Sequence, residues 1–328
     1  MNKIDFVLTW VDGSDPQWQE SYQQYVGGKK INFAQYRDWG TLKYWFRMVE
    51  AYAPWVNQIH FVTCGQTPQW LNTQHPKLNL VSHENYMPQD YLPTFSANPI
   101  ELNLHRIPGL SEQFVYFNDD TFLTAPVKPE DFFKNGLPCD SSVFACLIPS
   151  VKNEVITYIL FNDLLHINAH FSKRSCIKKN FGKYFSLKNG KGLLKNLYYA
   201  PIGKFGGFEN PHLPNSFLKS TYEEVWQAEG EMLDKVCRNR FRTKEDVNQY
   251  LMRYWQLAEG NFVPRSPKVG QCLTVGAPKE VFVRYLHKQD VKLLCINDDP
   301  SIDNIEEMEK SLLDVFEKTF PQKCSFEV

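Results

Sequence analysis

No stretch of the chain approaches the eighteen or so consecutive apolar residues that a membrane-spanning helix requires, about thirty ångströms of hydrocarbon being the span to fill. The apolar run at residues 4–10 is too short for a signal peptide. The eight cysteines never stand as CxxC, so scattered reduced thiols are expected rather than a disulfide framework or a zinc site. A cytoplasmic protein is expected on these grounds. There is no P-loop, GxGxxG, GxSxG or HExxH, which excludes the usual NTPase, dinucleotide, serine-hydrolase and zincin signatures. Neither sign of charge is in excess: 36 Lys and Arg stand against 37 Asp and Glu, a net charge of -1. That balance argues against a whole-protein electrostatic grip on nucleic acid.

What is there reads as globular α/β. Hydrophobic residues make up 43% of the 328 and charged residues 22%, and such a length allows about two units or one large domain with insertions. Aromatics reach 15%, which suits a well-packed core or platforms beneath sugars and bases. The run at 4–10 stops at Asp12-Gly13-Ser14-Asp15-Pro16, a buried strand and its turn. Leu42, Trp45, Phe46, Val49 and Tyr52 recur at helical spacing over 41–52, and 58–63 reads as the next strand. Strand, helix, strand is the βαβ unit of a parallel sheet. Further strands are expected at 78–81, 113–117, 142–148 and 291–296, with a helix capped by Ser96, two helices within 215–258 and an acidic amphipathic helix near 302–319.

Three acidic turns stand at expected strand ends: Asp12 and Asp15, Asn118-Asp119-Asp120, and Asn297-Asp298-Asp299. Each alone can be a turn. Open α/β sheets bind ligands beyond the carboxyl ends of strands, so together they suggest one crevice for Mg²⁺ or Mn²⁺ and a diphosphate. Glu101 and His105 are four apart, either a metal-and-orienting pair or an ordinary helix-surface pair. His212 stands between two prolines in NPHLP, a rigid extended setting for a base or phosphate ligand, although a lone histidine is commonly neither. Arg240 and Arg242 are candidate phosphate clamps or plain surface cations. From Leu164 to Phe208 there is no Asp or Glu but nine Lys or Arg, with aromatics interleaved. Subtracting those nine charges from the net of -1 leaves -10 on the rest of the chain. The segment is either a solvated face or a contact for an anionic lipid surface or a phosphorylated substrate.

Longer strings carry more than spacing does. IDFVLTWVDGSDP, RDWGTLKYWFRMVEAYAPWVNQIHFVTCGQTPQWL and LPTFSANPIELNLHRIPGLSEQFVYFNDDTFL strongly resemble the Stealth family. Its four blocks follow in order at 4–16, 36–137, 209–258 (NPHLP and RFRTKEDVNQYLMRYW) and 292–299 (LLCINDDP). The resemblance implies a sugar-1-phosphate transferase, as in bacterial capsule and cell-wall polysaccharide enzymes and the catalytic part of animal N-acetylglucosamine-1-phosphotransferase. It implies a UDP-sugar donor, attack of an acceptor hydroxyl on the β-phosphate, and departure of UMP. Residue by residue, it implies Glu101, Asp120, His212 and Arg242 in the active site. Animal members have WVNG where this chain has Trp10-Val11-Asp12-Gly13, which weakens a metal role for Asp12. They also carry large inserted modules without counterpart here, so a glycan acceptor is expected rather than a protein.

The fold expected is therefore α/β, Rossmann-like or GT-A-like, a mostly parallel sheet flanked by helices. Residues 1–150 and 265–328 would form the core, and 151–264 a helical, basic insertion contributing His212 and Arg242. His212, Arg242, Asp120 and Glu101 are the expected catalytic residues, with His212 as general base and Asp120 its rival. Asp120, Asp298 and Glu101 are expected on Mg²⁺ or Mn²⁺, and Trp10, Asp12, Gly13, Lys43, Gly65, Gln66 and Arg106 around the nucleotide-sugar. The acceptor glycan is expected on a polyprenyl diphosphate, with peripheral contact at the inner face of the plasma membrane. Two other readings stay open: a metal-dependent glycosyltransferase releasing UDP, and a non-catalytic glycan- or lipid-binding protein. The released nucleotide separates the first from the main reading, and the absence of any turnover marks the second.

Overall fold

The computed structural model describes residues 3–27, 35–148, 154–299 and 302–328. Four strands, β1 (Ile4–Thr9), β2 (Ile59–Thr63), β3 (Leu78–Ser82) and β4 (Gln113–Asn118), lie parallel in the order β3-β2-β1-β4. Their side chains alternate between two cores. Ile4, Phe6 and Leu8 point into one, and Val7 into the other, so the sheet is buried on both faces, as parallel sheets are. Asp5 is the polar exception on the β1 run. It is fully buried, and its carboxylate accepts from Asn57 Nδ2 at 2.6 Å and the Ser111 N–H at 2.7 Å, with His60 Nε2 at 3.2 Å.

The links place the helices. α1 (Pro16–Val26) and α2 (Leu42–Tyr52) join β1 to β2, and α3 (Ala97–Leu102) lies between β3 and β4. Ser96 caps α3 as expected, accepting from the Asn98 N–H at 3.3 Å. Asp15 caps α1 at Gln17 N, with Pro16 in the first turn. After β4 come β5 (Thr121–Leu123), α4 (Pro129–Phe132), β6 (Phe133–Lys134) and β7 (Leu137–Asp140). Then follow α5 (Glu154–His170), α6 (Lys173–Lys179), α7 (Phe181–Tyr184) and α8 (Gly192–Tyr199). β8 (Asn215–Leu218) leads into α9 (Lys219–Cys237) and α10 (Tyr250–Glu259). β9 (Val263–Pro264), β10 (Gly270–Thr274), α11 (Lys279–Lys288), β11 (Leu293–Asn297) and α12 (Ile305–Thr319) complete the described elements.

Four local expectations change. Residues 142–148 make only an isolated bridge, Phe144 to Phe208, flanked by backbone hydrogen bonds from Ala145 to Gly207 and from Glu209 to Val143, and the Phe144 N–H donates to the Asn196 side chain at 2.6 Å. Residues 215–218, expected to be helical, form β8 instead. It pairs antiparallel with β4 and sets Phe217 against Phe114. The last strand leaves the main sheet, and β11 pairs with β10 and antiparallel with β5. The helix that would set Glu101 above His105 stops at Leu102 and resumes as a separate 3₁₀ turn at Leu104–Arg106. His105 therefore packs on Tyr222 and Trp226, with ring centroids 5.7 and 5.8 Å away, apart from the Glu101 carboxylate.

The order β3-β2-β1-β4 reverses direction at β1, so the crevice opens where β1 and β4 end side by side. Asp12 follows β1, and Asp119 and Asp120 follow β4.

Candidate active site

The β1 and β2 ends are tied to one another. The Asp12 N–H donates to Gln66 Oε1 at 2.9 Å, and Gln66 Nε2 donates to the Asp12 carbonyl and to Asp15 Oδ2, each at 2.9 Å. The Asp12 carboxylate accepts from the Ser14 N–H and hydroxyl at 2.8 and 2.6 Å, so it shapes the turn. Gly13 is required by close approach: its N–H donates to the Tyr36 carbonyl at 3.0 Å, and a Cβ there would come within 2.4 Å of that oxygen. Gly65, with φ +101°, turns the chain after β2. Trp10 is buried and stacks on Phe61 at 5.8 Å, and its indole acts on the Asp38 carboxylate. Asp12, Gly13, Gly65 and Gln66 thus form one braced rim.

Across the crevice the NDD turn is held by the C-terminal sheet. The Ile296 N–H donates to the Asp120 carbonyl at 2.8 Å, and Cys295 stands opposite Thr121. His212 Nε2 lies 3.2 Å from Asp120 Oδ2, and Cys295 Sγ lies 3.5 Å from the same oxygen. Asp120 Oδ1 is buried without any partner. Burial alone would depress the His212 imidazole, but the charge and hydrogen bond of Asp120, with Cys272 and Glu101 behind them, push it up to about 9. Asp119 is raised well above the carboxylate range by burial and by the charges of Asp120 and Asp38. Burial chiefly raises Asp38 too, and Asp12 adds to it. Burial first, and neighbouring carboxylates second, thus hold Asp119 and Asp38 toward their protonated forms.

His212 is delivered by α10. Arg253, only 1% exposed, forks onto Asp140 at 2.7 and 2.9 Å and also donates to the Glu209 carbonyl and to Asn210 Oδ1. Tyr254 Oη and the Asn210 side chain are hydrogen-bonded. These contacts fix the chain just before Pro211, and His212 itself takes a left-handed φ of +48°. Glu101 is buried beneath the site and accepts from the Tyr116 hydroxyl at 3.1 Å and the Gln249 N–H at 3.4 Å. Burial raises its carboxyl, while the Arg242 charge, these hydrogen bonds and the His212 charge pull the other way. Arg242 is exposed, and its charge also acts on the Tyr36 hydroxyl. Arg240 is engaged elsewhere, donating to the Leu92 and Pro93 carbonyls.

Asp120, His212, Glu101 and Arg242 are thus electrostatic neighbours. Asp298 pairs with Arg37 at 3.1 Å, and the Asp299 N–H and the Trp39 indole also act on its carboxylate. Among the described residues, the metal-compatible cluster with ligand atoms within 4.8 Å of one another is Asp120, His212 and Cys295, not Asp120 with Glu101 and Asp298. The unpartnered oxygen of Asp120 suits a divalent cation, and a carboxylate suits a hard one. Lys43 and Arg106 are not drawn into this cluster: Lys43 lies 3.9 Å from Glu317 on α12, and Arg106 sits over the Trp226 ring at 4.6 Å. Sequence reasoning passed over Asp38, Arg253 and Cys295. All three lie inside the strings that carry the family resemblance, Asp38 in RDWG, Arg253 in LMRYW and Cys295 in LLCINDDP, but none is of a type or spacing that singled it out.

Comparison with known proteins adds kinship to geometry. Residues 2–30 match Stealth protein CR1, conserved region 1, and residues 35–140 match Stealth protein CR2, conserved region 2. The chain is 44% identical over 332 residues to the capsular polysaccharide phosphotransferase WcwK of Streptococcus pneumoniae, covering 100% of this chain and 98% of the relative. It is 41% identical to the receptor polysaccharide phosphotransferase WefC of Streptococcus oralis, covering 100% of both. Among solved structures, the galactosyltransferase LgtC bound to donor and acceptor sugar analogs aligns over 94% of this chain and 95% of that one, at 11% identity and a TM-score of 0.39. With two of its conserved regions matched and full-length relatives above 40% identity, the chain belongs to the Stealth protein family.

Proposed function

We propose that the protein transfers a hexose-1-phosphate or N-acetylhexosamine-1-phosphate from a UDP-sugar to a hydroxyl of an acceptor glycan, releasing UMP in capsular or cell-wall polysaccharide synthesis. The observation that carries this is full-length kinship to proteins named polysaccharide phosphotransferases. A phosphotransferase makes its new bond to phosphorus, so the leaving group is the nucleoside monophosphate. The acceptor is a glycan on a polyprenyl diphosphate, met at the inner face of the plasma membrane. No helix among the described residues is long and apolar enough to cross a membrane.

In this reading the rim of Asp12, Gly13, Gly65 and Gln66 seats the nucleotide, and the 151–264 segment supplies His212 and Arg242 to the core. Mg²⁺ or Mn²⁺ would be held by carboxylates of the mouth, Asp120 and Asp298 among them, and when bound would neutralise the diphosphate and offset the Asp120 charge. His212 Nε2, when the imidazole is neutral, would accept the proton of the attacking hydroxyl. Arg242, exposed and beside Glu101, forks onto a phosphoryl oxygen pair. Glu101 accepts from the Tyr116 hydroxyl, and its charge and that of Arg242 act on one another. Incubation with a panel of UDP-sugars, acceptor glycan and Mg²⁺ tests the reading. UMP release is expected, UDP release would identify a glycosyltransferase, and no nucleotide release would leave a binding protein.

A further inference from the structure

Helix α8 is built inside out. Leu194, Leu197 and Tyr198, three and four residues apart on one face, are 70%, 55% and 75% exposed. The residue turned inward is Asn196, which is fully buried. Its Oδ1 accepts from the Phe144 N–H at 2.6 Å, and its Nδ2 donates to the carbonyls of Ser142 and Tyr184 at 3.0 and 2.6 Å. An amphipathic helix of a globular protein has the opposite pattern. Leu187 at 86% and Ile202 at 50% exposure flank the helix in sequence. Single exposed leucines need no explanation, but five large apolar side chains within sixteen residues do.

The charges of the segment that carries them have one sign. Lys173 and Lys183 of the acid-free segment donate to the Tyr199 and Gly260 carbonyls, so those two serve the fold. The other seven cations are exposed, and Lys188, Lys191 and Lys195 are interleaved with the exposed leucines. Lys195 pairs with Glu209, which lies just outside the segment. We propose that this face docks on an anionic lipid bilayer: Leu194, Leu197 and Tyr198 enter the boundary between headgroups and acyl chains, and the neighbouring lysines meet lipid phosphates. Lysine stems reach across apolar surface and keep their ammonium groups in the headgroup layer, which suits this interleaving. The inference stands apart from the phosphotransfer reading, since docking needs neither nucleotide nor cation.

Co-sedimentation of the full chain with vesicles of phosphatidylcholine alone, and of phosphatidylcholine mixed equally with phosphatidylglycerol, tests it. Binding to the mixed vesicles is expected, weakened by salt. Lys188→Gln with Lys191→Gln should weaken it by about 25-fold, about fivefold per lysine. Leu194→Ser with Leu197→Ser should abolish the part that survives high salt while leaving the melting temperature unchanged, because both side chains are exposed. Equal binding to both vesicles, or binding to neither, would overturn the proposal. So would a concentration-dependent dimer, in sedimentation velocity without lipid, that the two serine substitutions dissolve, for a second copy would then be what covers this face.

Discussion

Asp120 is the residue on which three of the site's features meet: the ion pair with His212, the Cys295 thiol and a buried oxygen without a partner. Chelation with EDTA should therefore abolish UMP release, and Asp120→Asn should lower turnover by about 10²–10⁴, the scale of a lost acid–base or charge-positioning group. Unchanged turnover of the chelated enzyme would refute a metal requirement. The same contact makes a prediction that needs no substrate. His212 should titrate by NMR near 9 in the metal-free protein, and in Asp120→Asn should fall toward its ordinary 6.5, because burial is then opposed only by the lesser charges of Cys272 and Glu101. The sign for stability follows. The pair stabilises the fold fully below about 6.5, and its contribution is lost as pH rises through about 9.

At the scale of elements, α10 decides where His212 sits. Arg253 reaches Asp140 at the end of β7 and the Glu209-Asn210 backbone and side chain together, so one guanidinium joins three segments. Arg253→Met would strand the buried Asp140 charge and should cost about 3–5 kcal/mol in urea unfolding. Arg253→Lys keeps the charge without the fork. It should fold at a smaller cost and lower kcat more than it raises KM, since the segment bearing His212 is released while the nucleotide rim is untouched. How much of this could be read in the sequence follows from what each element depends on. β1, β2, β4 and α2 were legible because their apolar period records burial on known faces. β8 was not, because Asn215-Ser216-Phe217-Leu218 is short and runs straight into the helical pattern of α9. At 142–148 the backbone makes only an isolated bridge to Phe208, and the Phe144 N–H is satisfied by a side-chain amide fifty-two residues away rather than by a further strand. Asp120 and His212 were marked by their motifs, whereas Cys295 joins them through the pairing of β5 with β11, which leaves no trace in local sequence.

At the scale of the molecule, two buried histidines set its tolerance of acid. Burial pushes His83 down to about 4, and burial with the Arg106 and Lys219 charges pushes His105 down to about 3. Both are neutral in the fold and would take a proton more readily once unfolded. Their contribution is thus whole above about 6.5 and drains away as pH falls toward those values, at about 1.4 kcal/mol per pH unit for each. Urea unfolding between pH 7 and pH 4.5 should show that slope, and His105→Phe should reduce it. A slope unaltered in that variant would place the acid sensitivity elsewhere.

The long return of the chain has a consequence for how the protein is made. Arg47 of α2 is buried against Glu327, Phe46 packs on Phe326, and the Asp120 turn is finished by β11. When the N-terminal βαβ half leaves the ribosome, the thiol, sheet and ion pair that close over the carboxyl ends of β1 and β4 are therefore still untranslated. At about 5–20 residues per second, the roughly two hundred residues between Asp120 and Glu327 take on the order of ten seconds or more to appear. Through that interval the nascent chain exposes an apolar surface and an incomplete acidic mouth. Chaperone engagement should peak before residue 293 emerges, and chemical competence should arrive only with the last strand and helix.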